Sequence, residues 1–290
     1  MFEALSAEEM PSAFEALMQV RRGTARTGLI SAFFKHWGAI DPHAALETAK
    51  NMPTRDRPAA EFHALRAWAQ QAPADAWAMA KELLSAIPAH SWSYTAVLGE
   101  MAKTDPARAL AEAMSISRDS GRLGARHHIV SAAVETGSIE TLLVAVQGLK
   151  SAADRESWTK EAFTCWAGVD VEAPLAVLAS ITDPALAKSA MTGLLTGWGG
   201  ADPTGALEYA AAHHSDPLVS GALEPMLLRV ISESSRAEAD AFVGAIGESN
   251  AVGSLSESVL LTLANTHPEL ALKLAASNRM EDEREAVERR

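Results

Sequence analysis

The sequence predicts an all-α protein, a right-handed α-solenoid of about eight helical hairpins with a period of about 32 residues. Three observations lead there. The phrase Trp37-Gly-Ala-Ile-Asp41-Pro42-His-Ala-Ala45-Leu46 returns as Trp198-Gly-Gly-Ala-Asp202-Pro203-Thr-Gly-Ala206-Leu207. Looser copies of it recur along the whole chain. The composition also suits packed helices and no strand pattern competes: 58 of 290 residues are alanine, 48 % are apolar and only 21 % are charged, enough apolar matter to bury a core.

The copies are anchored at Trp37, Trp68, Met101, Val134, Trp166, Trp198, Ile231 and Leu263, at intervals of 31 to 33 residues, and Leu5 adds a ninth anchor. Units then open near residues 6, 41, 72, 105, 138, 170, 202, 235 and 267, and the chain reads as a single repeat domain over 1–290. Asp four residues after the anchor is an N-cap, its carboxylate accepting from free backbone N–H groups. Pro at the next position suits the first helical residue, where no N–H is needed. Where Asp-Pro is missing, Ser235-Arg-Ala-Glu238 supplies a capping box.

Counted from the anchor, position +8 is alanine in six of the eight later units, +9 is leucine in six and +12 is alanine in five. These offsets form one stripe of the first helix, and alanine in it lets a neighbouring helix come close. Pro53, Pro58, Pro88, Pro184 and Pro217 fall between the two helices of a unit. The second helix runs up to the anchor behind apolar residues at helical spacing: Phe33 and Phe34, Leu65, Val97 and Leu98, Phe163, Leu194 and Leu195. Helices of about 10–14 residues result. Position +1 is small in seven of eight units, which predicts a tight turn into the next cap, with Gly197-Trp-Gly-Gly200 as one such turn. Pro174 and Pro225 stand off this punctuation. Pro225 lies inside an expected second helix, which it would kink unless that helix starts late.

The ends read differently. Met1–Leu5 falls where the tail of a second helix is due, and the charged run 281–290 where the last second helix is due. That run reads as a solvated capping helix, or else the chain is a piece of a longer array.

With its Asp-Pro helix openings and small residues at helix crossings, the unit resembles tetratricopeptide-like helical hairpin repeats. It departs from them in period, about 32 against 34, and lacks their first-helix Trp-Leu-Gly-Tyr pattern. It is more similar to uncharacterised bacterial repeat proteins built on Trp-x3-Asp-Pro-x2-Ala-Leu. The resemblance spans essentially the whole chain and carries no catalytic residues. What it implies is an interaction scaffold with first helices lining a concave face, an analogy from fold.

Several functions are excluded or disfavoured. The formal charge of −12 argues against nucleic acid, which needs phosphate neutralisation. No apolar stretch is long enough to enter a membrane, and the first residues lack the basic and apolar regions of a secretory signal. The single Cys165 rules out a disulfide framework and cysteine-based zinc sites. Together these favour the cytoplasm, or the periplasm if the chain belongs to a longer protein. No nucleophile elbow, phosphate loop or dinucleotide pattern appears, so the reading is non-enzymatic, with no cofactor and no metal. His36 and His43 flank the Trp37 turn without an acid or thiol to complete a site, and the adjacent pairs His127-His128 and His213-His214 cannot chelate as i, i+4 pairs do.

What remains is a protein or peptide partner. First-helix positions facing away from the alanine–leucine stripe hold Glu47, Asp75, Glu82, Glu140, Glu172, Glu208, Glu238 and Glu269 amid small residues. They form an acidic surface for a basic segment, or the ordinary solvated face of an acidic protein. Trp37, Trp68, Trp77, Trp166 and Trp198 read as core. Trp92 and Trp158, off the repeat phase at the start of second helices, are the half-exposed aromatics expected at a contact. Two alternatives stay open: an α/α-ring enzyme or small-ligand-binding protein with a central cavity, and a regulatory repeat segment of a larger anchored protein.

Overall fold

The computed structural model describes residues 2–21, 23–86, 93–116, 120–213, 215–233 and 272. Among them there are fourteen helices and no strand, and no helix is long and apolar enough to cross a membrane. The unit openings near 235 and 267, the Ser235–Glu238 cap, Pro88, Trp92, Glu238, Glu269 and the charged run 281–290 lie outside the described residues. The chain divides into two compact units, Met1–Ala145 and Val146–Arg290.

Unit 1 opens with α1 (Met10–Met18) and α2 (Thr24–Ile40). First helices of the hairpins, mostly short, then alternate with second helices, mostly long, the exception being α5 with 14 residues against 10 in α6: α3 (Pro42–Lys50), α4 (Arg57–Ala69), α5 (Pro73–Ala86), α6 (Ser93–Ala102), α7 (Pro106–Ser115) and α8 (Ser120–Glu135). Helix α9 (Ile139–Gln147) carries the chain out of it. Residues 2–9 are turns and coil, so the described part of the expected second-helix tail, residues 2–5, is not helical. Here Glu9 turns its carboxylate back to accept from Ser6 N and Ser6 Oγ, at 2.8 and 3.0 Å, closing a local turn instead.

The capping reading holds where Asp-Pro is intact. Asp41, Asp105 and Asp202 each accept, through Oδ1, the backbone N–H three residues on, at 3.1, 2.9 and 3.1 Å. Each is followed by proline at the first helical position. At the other end of a hairpin, Gly137 takes a left-handed φ of 68°. This lets Ser138 N–H reach Ala133 O (2.8 Å) and Gly137 N–H reach Val134 O (3.1 Å), so the last carbonyls of α8 are satisfied.

The second helices continue past their anchors. Trp37 and Gly38 lie within α2, so the +1 position is not a turn. Its small residue serves packing instead: a Cβ on Gly38 would stand 2.5 Å from Ala64 Cα of α4, and Gly38 is buried. This accounts for a second finding. In unit 1, α2 packs on α4, α4 on α6 and α6 on α8, whereas α3, α5 and α7 pack mainly on the second helices beside them. Around the first crossing, Phe33, Phe34 and Trp37 are buried with ring centroids 5.5 to 5.9 Å apart, and Phe14 of α1 closes the cluster. Arg26 of α2, 6 % exposed, ties α1 to this group. Its guanidinium donates to Met18 O and Val20 O at 3.4 Å and to Asp56 Oδ2 at 2.9 Å.

Unit 2 repeats the alternation with α10 (Ala152–Ala167), α11 (Glu172–Leu178), α12 (Pro184–Ala201), α13 (Pro203–Ala212) and α14 (Pro217–Glu233). Again the long helices pack on each other, α10 on α12 and α12 on α14. Gly193 and Gly197, one turn apart, would each drive a Cβ into α10 backbone, at the carbonyls of Lys160 and Thr164. Gly197-Trp-Gly-Gly200 is therefore helical and not a turn. Gly199 seats Met226 and Val230 of α14, with Met226 Cγ at 2.7 Å from a would-be Cβ. Pro225 sits inside α14, which begins at Pro217, so a late start does not explain it. Pro174 falls in the first turn of α11, where the missing N–H leaves no bond unmade.

Helices α2, α8, α10, α12 and α14 reach 16 to 18 residues, beyond the expected length, and each runs past its anchor.

Candidate functional site

The six acidic positions within the described residues are all on first helices of hairpins and all exposed: Glu47 on α3, Asp75 and Glu82 on α5, Glu140 on α9, Glu172 on α11 and Glu208 on α13. Asp75, Glu140 and Glu172 stand in the first turns of their helices, where the N-terminal dipole favours a carboxylate. Glu47 is met by Lys50 of its own helix at 3.4 Å, a solvated pair worth little.

Trp158 is a correction. It is 2 % exposed and belongs to the interior of unit 2, because it falls on the buried face of α10 with Ala162, Phe163 and Trp166. The anchor tryptophans are not uniform. Trp37 and Trp166 are buried at 2 % and 8 %, but Trp68 and Trp198 are half-buried, each against a ring from a short helix. His43 meets Trp68 at 4.9 Å, and Tyr209 meets Trp198 at 5.3 Å. Trp77 is buried, as expected.

The histidines separate. His36 Nε2 pairs with Leu5 O at 3.0 Å while His43 packs on Trp68, so the two do not converge. His213 closes α13, its Nδ1 2.9 Å from Tyr209 O and its ring stacked on Tyr209 at 4.2 Å; His214 lies outside the described residues.

A recess that the repeat phase did not point to lies among three second helices of unit 1, α4, α6 and α8. It is open on one side and has a volume of about 90 Å³. Residues at i, i+3, i+4 and i+7 share a helix face, and the three helices each give such a set. Phe62 and Arg66 come from α4, Ala96, Gly99, Glu100 and Lys103 from α6 and the residues following it, and His128, Ser131, Ala132 and Glu135 from α8. Gly99 makes the approach possible, since a Cβ there would sit 3.2 Å from His128 Cβ.

At its floor is Glu100, whose side chain is 5 % exposed. Its Oε1 accepts from Arg66 Nε at 3.0 Å and Gln70 Nε2 at 3.4 Å, and its Oε2 from Lys103 Nζ at 2.9 Å. Burial pushes this carboxyl up, but hydrogen bonds from Lys103, Arg66 and Gln70 and the charge of Lys103 outweigh it and hold the group below its ordinary value. The cations are more open, with Arg66 49 % and Lys103 35 % exposed. Burial, then the charges of His127 and Arg66, push His128 below the usual imidazole range. His63 is lowered by burial and by Arg66 and Lys35.

The chain matches no known family. Nor does any curated protein or solved structure match it, so the geometry stands on its own.

Only one signal in the sequence could have exposed this recess. Glu100 is the lone charge in the run Tyr94–Ala102, which is otherwise apolar or small. A carboxylate there must be buried with a partner or stand off the core. Its cations come from one unit earlier and three residues later, which spacing alone does not connect.

Proposed function

We propose that the chain is an α-solenoid interaction scaffold, without catalytic activity, that binds a basic segment of a protein or peptide partner along its first helices. The observation that carries this is the recurrence of exposed carboxylates, Glu47, Asp75, Glu82, Glu140, Glu172 and Glu208, on the first helices of five hairpins, with α7 passed over. Neighbour-on-neighbour helix packing supports the solenoid reading. The tetratricopeptide-like resemblance implied that first helices line the concave face. In unit 1 the second helices α2, α4, α6 and α8 pack on one another, and the first helices α3, α5 and α7 pack mainly on them. In our proposal the acidic first helices are therefore separated ridges, and a partner lies across them.

The test uses a fluorescein-labelled basic peptide with alternating Arg and Ala, followed by fluorescence anisotropy. Glu47, Asp75 and Glu140 changed together to Lys should abolish saturable binding. Glu3, Glu8 and Glu15 changed to Lys shift the net charge equally, yet should weaken binding only a few-fold through long-range screening-sensitive attraction. Equal losses in the two variants would reduce the effect to net charge and overturn the proposal.

A further inference from the structure

We infer that the recess among α4, α6 and α8 is a binding site for a carboxylate group, held by Arg66 and Lys103 from above the buried Glu100. It stands independently of whether the acidic first helices bind a partner.

Glu100 fixes the positions of its two cationic neighbours. Arg66 spends Nε on Glu100 Oε1 at 3.0 Å, and its two terminal Nη groups make no hydrogen bond to protein among the described residues. Lys103 gives Glu100 Oε2 one proton at 2.9 Å and keeps two. Both cations are thus fixed in place by a buried anion, while the donors they retain belong to side chains lining an open recess. Fixing a guanidinium through Nε leaves an Nη pair suited to a planar two-oxygen acceptor. Ordering two long side chains in advance removes part of the entropy a ligand would otherwise lose on binding.

Charge decides which anion. Arg66 and Lys103 bring two positive charges, and Glu100 at the floor and Glu135 at the rim bring two negative ones. The ligand sees the cations first because Glu100 is covered by them. A monoanion is favoured over a phosphate dianion because doubling the ligand charge doubles the net pull of these groups but raises the cost of stripping water from the anion faster than that. Phe62, Ala96 and Ala132 supply an apolar wall for the carbon atoms attached to a carboxylate. Exposed His128 adds ring nitrogens at the side of the recess. The space of about 90 Å³ exceeds what one water needs and takes a carboxylate with a short carbon stem.

The full chain, labelled at histidine, is titrated with propionate, with propionamide as its uncharged counterpart and with inorganic phosphate, and the His128 ring resonance is followed by NMR. Expected are a saturable shift with propionate, none with propionamide and at least several-fold weaker binding of phosphate. Arg66→Gln and Lys103→Gln, their folding checked by circular dichroism, should each weaken propionate roughly tenfold. Glu135→Gln, an exposed change that leaves the core intact, should tighten it a few-fold. Short peptides with a free carboxyl terminus, with an amidated terminus, or with an internal Glu then separate a chain end from an acidic side chain. Tighter binding of either kind supports the site and names its source, and binding of the free small acid alone assigns it to small molecules. Absence of a saturable His128 shift, an equal shift with propionamide, stronger binding of phosphate, or indifference to Arg66→Gln in a folded protein would each overturn the inference.

Discussion

Two glycines on one helix provide a sharp test of the packing. Gly28 and Gly38 both lie inside α2. Alanine is favoured over glycine in a helix interior by about 1 kcal/mol. At Gly28, which is exposed and has nothing within 4 Å of a would-be Cβ, that gain is unopposed. At Gly38 the same methyl would stand 2.5 Å from Ala64 Cα, 2.5 Å from Ala64 O and 2.9 Å from Ala64 C. All three are backbone atoms, so no side chain can swing aside. Carbon contacts settle near 3.5–4.0 Å, so α4 would have to retreat by about 1 Å. Overpacking of this kind costs about 1–3 kcal/mol, and subtracting the helix gain of about 1 kcal/mol leaves a net loss of about 0–2 kcal/mol. For a chain of this size one kcal/mol moves the midpoint by about 2–4 °C. Gly28→Ala should therefore raise Tm by about 2–4 °C and Gly38→Ala lower it by up to about 8 °C, both followed by circular dichroism at 222 nm. A Gly38→Ala protein as stable as Gly28→Ala would refute the close approach of α2 and α4, and with it the account of why the +1 position is small.

Other outcomes follow from the same contacts. Asp41→Ala and Asp202→Ala each remove a cap bond of 3.1 Å and should cost about 1 kcal/mol in urea denaturation; no change would mean the caps are idle. Asp56→Ala strands the buried guanidinium of Arg26 and should cost about 3 kcal/mol, most of it regained when Arg26→Met is added; a single variant as stable as wild type would contradict the pairing. Because the folded-state pKa of Glu100 is depressed, the stability it contributes is present above its ordinary value of 4.5 and lost as pH falls through the folded one. The gap in urea midpoint between wild type and Glu100→Gln should thus be full at pH 6 and shrink toward pH 3, and a constant gap would exclude the linkage. His63 and His128 should titrate below 6.5 by NMR, and midpoints at or above that value would mean that neither ring is desolvated as described.

Local chemistry made much of the fold legible. An Asp-Pro pair sets a helix start through one side-chain bond and one missing N–H, so Asp41, Asp105 and Asp202 could be read without knowing anything distant. The alanine–leucine stripe was legible for a similar reason, and Ala45, Leu46 and Ala49 are buried together. What a small residue is for could not be read locally. Gly38 and Gly197 look like turn residues until the helix across from them is placed. Trp158 was misjudged because its place in the repeat phase does not reveal that it shares a helical face with Phe163 and Trp166. The recess was invisible for a third reason. Its charges come from three hairpins at non-equivalent positions, and only the lateral packing of α4, α6 and α8 makes them neighbours.

The substantial helix contacts in each unit join elements no more than two apart in chain order, such as α2 with α4 and α12 with α14. Contact order is therefore low, and the loops to be closed are about one repeat long, the regime of fast folding. Opening should be equally local. Amide hydrogens of α2 and α8 in unit 1 can exchange through separate fluctuations, with different free energies, since no direct contact obliges the two helices to melt together. A damaged hairpin then loosens its neighbours and leaves remoter ones closed, so the chain can lose or exchange one of its surfaces without unfolding the rest.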